Sequence, residues 1–289
     1  MQTTIKLSFT LSFLALAGGV LAQAKSDAEQ PLSPVQQELQ KLHWVEGPTK
    51  VELFNIASIE VPPNYMFLNQ ADTEKFMTLN QNLSSGKEYL IAPDDLHWFG
   101  ILTFDADGYV KDDESIDAAS ILDSIKQGTE AGNRERRQRG WPEMTVVGWK
   151  RPPYYDTTTK HLEWAIHGRD SNQGEAINFN TRILGRTGVT SAVLVADPQA
   201  LDASIKEFKS TLGSYQYANG ERYAEYKSGD KVAEYGLAAL VAGGAAAIAT
   251  KTGLWKTIAV ALAAGWKFIA AGVVALSAAI GKFFKRKQS

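Results

Sequence analysis

Hydrophobic and polar positions change their rhythm along this chain, and the changes divide it. Residues 7–20 are continuously apolar, 25–235 alternate in short runs, and 236–281 return to small apolar residues. In the middle region the period decides the element. Val35, Leu39 and Leu42 fall on one helical stripe behind Ser33-Pro34, a helix start with proline in its first turn. Beyond Gly47-Pro48 the pattern shortens to that of strands, predicted over 50–54, 57–61, 88–91, 97–104, 145–149, 161–167, 176–184 and 189–196. A short helix capped by Asp72 runs to about Leu79. A longer one, capped by Asp117, turns Ile121, Leu122 and Ile125 inward and stops at Gly140-Trp141-Pro142. Gly185–Gly188 joins two strands as a hairpin. A last helix covers 201–212, and a short strand covers 215–217. Strands interrupted by few helices predict an α+β domain, an antiparallel sheet with helices packed on it.

The apolar ends predict where the domain sits. Lys6, the run from Leu7 to Val20, and Ala22-Gln23-Ala24 have the order of a secretory signal with a small-x-small cleavage site, so residues 1–24 are expected to direct export. Residues 25–46 read as a linker with a short helix, 47–219 as the exported domain, and 220–235 as a polar, tyrosine-rich stalk. Residues 236–289 are a hydrophobic anchor with a basic tail. The run 257–281, at ~1.5 Å per residue, is about 37 Å long and enough to cross a membrane with tilt. Lys267 then snorkels, and Trp255 and Trp266 are interfacial anchors. For the stretch 236–250 two arrangements stand. It is a small-residue helix on the outer face or against other helices, or else the first arm of a membrane hairpin.

Charge sets the orientation and removes one class of partner. The chain is −2 overall, yet 236–289 carry seven cations and no acid and 1–24 carry one cation, which leaves 25–235 at −10. By the positive-inside rule a single crossing places the tail in the cytoplasm and the domain in the periplasm of a bacterial inner membrane. An acidic body is a poor nucleic-acid binder. With no cysteine, thiolate catalysis, cysteine-ligated metals, disulfides and a lipoprotein anchor are excluded.

Five stretches carry a resemblance. They are GPTKVELFNIASIEVPPNYMFLN (47–69), IAPDDLHWFGILTFDADGYVKDDE (91–114), GWKRPPYYDTTTKHLEWAIHGRD (148–170), NTRILGRTGVTSAVLVADPQAL (180–201) and GERYAEYKSGDKVAEYGLAALVAGG (220–244). Together they resemble an uncharacterised bacterial family of predicted membrane-anchored proteins, domain of unknown function 2167. The resemblance implies an exported domain with a C-terminal anchor and brings no activity or catalytic residue. More loosely, the strand–helix order is similar to the PsbP/Mog1-like fold, and a fold alone does not give function.

Chemistry-bearing residues are sparse. Counting Thr103 as the first position puts Asp105, Asp107, Gly108, Val110 and Glu114 at the third, fifth, sixth, eighth and twelfth positions of a calcium loop. Threonine in place of the usual first aspartate, and a strand in place of the preceding helix, speak for a simple acidic turn. His161, Glu163, His167 and Arg169 share one strand face, where zinc is conceivable, but the two histidines lie about 20 Å apart along a strand. Asp94-Asp95 with His97 could form a carboxylate–histidine base or a turn. Arg134, Arg136, Arg137 and Arg139 could hold an anion, or complement the end of their helix. The domain's tryptophans, Trp44, Trp98, Trp141, Trp149 and Trp164, read mainly as core. The expectation is therefore a non-catalytic envelope module that contacts itself or another envelope protein and needs no cofactor. The rival is a periplasmic enzyme or ligand-binding domain dependent on calcium or zinc, with Asp105, Asp107 and Glu114 as its calcium ligands.

Overall fold

A computed structural model describes residues 34–243. The expected signal segment and the runs beyond residue 243 lie outside the described residues. The elements are α1 (Pro34–Leu39), β1 (Val45–Glu46), β2 (Thr49–Leu53), β3 (Ala57–Val61), β4 (Tyr65–Leu68), α2 (Gln70–Leu79), β5 (Tyr89–Pro93), β6 (Trp98–Asp105) and α3 (Ala118–Gln138). Then follow β7 (Met144–Asp156), β8 (His161–Asp170), β9 (Glu175–Leu184), β10 (Val189–Ala196), α4 (Leu201–Leu212), β11 (Gln216–Tyr217) and α5 (Leu237–Ala242), with one turn of 3₁₀ helix at Tyr223–Glu225. The class is α+β, as the pattern predicts.

Eight strands form one antiparallel sheet in the order β1-β4-β5-β6-β10-β9-β8-β7. The crossover through α3 carries the chain from β6 to the far edge, and the meander β7–β10 walks back until β10 pairs with β6. The Gly185–Gly188 connection makes the last step of that meander, with Gly185 N–H donating to Gly188 O at 2.9 Å. A small sheet, β11-β3-β2, and α4 cover one face. There α4 presents Leu201, Ile205, Phe208 and Leu212 at helical spacing to Trp98, Leu102, Phe179, Ala192 and Leu194. Gly100 lets Phe208 lie against the sheet, because a Cβ there would be 2.5 Å from the Phe208 ring.

The opposite face carries two separate helical layers. α1 and α2 bury Leu39, Leu42, Phe76 and Met77 on β4, β5 and the start of β6. α3 and α5 bury Ile121, Ile125, Leu237, Leu240 and Val241 on Val146, Leu162, Trp164 and Ile166. Asp117 caps α3 as predicted, accepting from Ala119 N–H at 3.1 Å and Ser120 N–H at 3.2 Å. The cap of α2 is Asn69, whose side chain accepts from Asp72 N–H at 3.0 Å. Asp72 itself is one turn inside, bonded to Lys75 at 2.8 Å and His43 at 3.0 Å.

Two expected boundaries move. The segment before residue 47, whose composition predicts a linker, is docked, with Trp44 edge-on to Phe76 at 6.1 Å and β1 paired to β4. The segment 220–235, whose polar composition predicts a stalk, packs on the body. Tyr223 is buried and donates to Val110 O at 3.0 Å, and Arg186 grips Asp230 through two bonds of 2.6 Å. Val232 pairs with Tyr109 as an isolated bridge. The chain stays packed through α5, so residues 237–242 complete the body's core. A polar composition misleads here because these polar groups have partners on the body, from which a stalk would be free.

Candidate functional site

The acidic loop after β6 is where sequence and structure meet. Gly108 has φ +107°, and a Cβ there would lie 2.6 Å from Lys231 O, so glycine is required by the close approach of the returning chain. Gly108 N–H donates to Thr187 O at 3.1 Å and Tyr109 N–H to Lys231 O at 2.8 Å; Ala233 N–H returns a bond to Tyr109 O at 2.9 Å. Tyr109 is sandwiched between Tyr223 and Tyr226, each 4.4 Å from it between centroids. Just beyond, Asp112 accepts from Tyr155 at 2.7 Å and Lys160 at 2.8 Å. Burial raises the Asp112 pKa, but these hydrogen bonds outweigh it and hold the carboxyl below its ordinary value.

The three residues of the expected calcium set have separate tasks. Asp107 accepts the hydroxyl proton of Tyr235, whose pKa is pushed up by burial and by that same carboxylate. Glu114 accepts from Ala238 N–H at 3.2 Å and caps α5 from a distant loop, since Gly236 has no side chain to do so. Asp105 closes β6, where burial raises its pKa against the pull of Arg182. Among the described residues no three His, Asp or Glu side chains converge as a metal site. Spacing in the chain matches a calcium loop, while the fold directs Glu114 to α5 and Asp107 to Tyr235.

The other candidates are also placed. On β8, Glu163 pairs with Lys209 of α4 at 2.8 Å, and His167 and Arg169 both lean on Glu175. His161 is partly buried, and that burial lowers its pKa. His97 joins two elements, its Nδ1 beside Asp95 and its Nε2 3.1 Å from Glu207 on α4, which also accepts from Trp98 Nε1 at 2.9 Å. This is a clasp between a loop and a helix, with Tyr65 packed beside it on Trp98. Arg136 is buried and donates to Pro142 O, Arg137 pairs with Glu130 and Glu143, and Arg139 pairs with Glu135. Those three arginines close α3 onto the following turn.

A charged residue unmarked by any motif lies on the same sheet face as the acidic loop. Arg182, on β9, is only 6% exposed and stands over the Trp164 ring at 4.8 Å. Burial lowers its pKa to about 10, with Asp105 and Tyr235 opposing the shift. Asn178, Asn180 and Arg182 alternate with apolar neighbours as the exposed face of a strand would. Their burial follows from the central position of β9.

The family described as a protein of unknown function, DUF2167, matches residues 45–277. The chain belongs to this family. In DUF2167 terms the match takes in the described domain from β1 onward, with the loop, α5 and most of the apolar run after it. Among solved structures, the solution structure of cyanobacterial PsbP (CyanoP) from Synechocystis sp. PCC 6803 is similar over 59% of this chain and 92% of that one, at 7% identity and a TM-score of 0.36. No curated protein matches the chain.

Proposed function

We propose that this DUF2167 protein is a membrane-anchored, extracytoplasmic interaction module of the bacterial envelope, acting by contact with itself or with another envelope protein. The observation that carries this reading is the docking of α5. Leu237, Leu240 and Val241 are buried in the body, and the sequence continues from them into the apolar, acid-free run that ends in Lys285-Arg286-Lys287. On this reading the run after α5 crosses the inner membrane once, the basic tail is cytoplasmic and the domain is periplasmic. The family match, which spans both the domain and the apolar run, supports treating them as one functional unit. Among the described residues no helix is long and apolar enough to cross a membrane.

The test is in-cell photo-crosslinking of the full chain at its native level, with mass spectrometry of the products. Reproducible self-links or links to an envelope protein are expected. A protein that is monomeric in mild detergent and links to nothing refutes the reading.

A further inference from the structure

Among the described residues three buried side-chain atoms lack a hydrogen-bond partner: Nε2 of His167, Oγ1 of Thr181 and Nη1 of Arg182. His167 still has Glu175 at 3.4 Å, and a hydroxyl is a small loss. Arg182 is different, because a guanidinium removed from water needs its donors met. Its ring contact with Trp164 holds one face of the planar group and leaves the in-plane Nη1 donor unmet.

The register says what surrounds it. Arg182 is opposite Ser191 of β10, and Ser191 is opposite Thr103 of β6, so the three share one sheet face with Asp105 two residues further along β6. Asn180 is on the same face of β9. α2 packs on β4 and β5 and α3 on β7, so this polar strip lies over the strands between the two helical layers. Thr103 and Asp105 are half-buried, so the strip keeps partial exposure at the end where β6 leaves the sheet, beside the half-buried Tyr235 that bonds to Asp107. Asp105 is the facing charge, yet among the described residues it makes no ion pair with Arg182; the two act on each other through space.

We propose that this strip is a binding site for a small oxyanion, a carboxylate or phosphate group seated on the Arg182 fork with the Ser191 and Thr103 hydroxyls beside it. The bound oxyanion meets the open Nη1 donor with a charge-assisted bond, the strongest form available to it. Trp164 orients the fork, and Asp105 opposes the ligand's charge. The site is independent of the membrane and partner reading above.

The experiment is thermal unfolding of the full chain in mild detergent with sodium phosphate or sodium acetate, against sodium chloride of equal ionic strength. At a hundredfold excess over the dissociation constant, a rise of about 5 °C is expected for at least one probe. A response to phosphate alone or to acetate alone identifies which oxyanion the site takes. Arg182→Met abolishes the rise, measured against its own ligand-free melting temperature because the substitution also takes the facing cation from Asp105. Arg182→Lys keeps the charge, loses the fork and weakens the rise. Asp105→Asn strengthens it by removing the opposing carboxylate. No rise at 50-fold or greater excess over about 1 mM, or an equal rise in wild type and Arg182→Met, overturns the proposal and leaves water as the occupant.

Discussion

Replacing Leu237 by alanine separates a docked α5 from a free one. Leu237 is 1% exposed and packs in the cluster that holds Ile121, Ile125, Leu162 and Trp164. Truncation removes three buried carbons, worth about 2.4 kcal/mol of transfer free energy, and the cavity left behind brings the cost to about 2–5 kcal/mol. For a domain of roughly 200 residues each kcal/mol moves the melting temperature about 2–4 °C, so a fall of about 4–20 °C follows. Unfolding of the full chain is followed by tryptophan fluorescence, since Trp164 lies in the same cluster. Glu234→Ala, exposed and three residues away, is the control and stays within about 0.5 kcal/mol of wild type. A change below about 0.5 kcal/mol for Leu237→Ala refutes the docking of α5 on the body.

Other substitutions probe the elements that place the loop and the strip. Asn133 of α3 clamps β7 by donating to Met144 O and accepting from Met144 N–H, both at 2.8 Å and buried. Asn133→Leu strands both backbone groups and costs about 2–4 kcal/mol in a urea titration. Glu88 is buried, which raises its pKa, but four bonds from Ser84, Ser85 and Lys87 at 2.7–3.0 Å outweigh that and lower it. Its stabilisation is therefore complete above the ordinary glutamate range and fades as pH falls through the depressed native value. A Glu88→Gln protein loses that pH dependence and costs about 1–3 kcal/mol at neutral pH. Asp230 is held at about 2 by hydrogen bonds from Arg186 and Lys227 N–H. The Asp230 contribution to the hold on segment 220–235 is thus fully present above pH ~4 and lost between pH ~4 and ~2, which hydrogen exchange of residues 220–235 measures as weakened protection.

The chain's own order determined the elements in which one period runs long enough to be read. α4 shows its apolar face every three or four residues, and its bounds at 201 and 212 are legible. The same holds for α3 behind Asp117 and for the β9–β10 hairpin at Gly185–Gly188. Such features depend on neighbours a few residues apart, so local chemistry suffices. β4 is only four residues behind Pro62-Pro63, and it exists because Phe67 and Met66 pair with Ile91 and Ala92 of β5. β7 extends through Pro152-Pro153 with register shifts that an edge strand tolerates.

For the site the division is sharper. The spacing of Asp105, Asp107 and Glu114 was visible in one dimension, but their partners Tyr235 and Ala238 are more than 120 residues away and belong to a segment whose composition suggested a stalk. Arg182 gave no signal at all, because alternation in Asn178-Phe179-Asn180-Thr181-Arg182 reads as one wet face and one dry face. Whether a strand's polar face meets water is decided by its place in the sheet and by what covers it. β9 sits between β10 and β8 in the finished sheet, and that placement, set by the crossover through α3 and the returning meander, takes the guanidinium out of water.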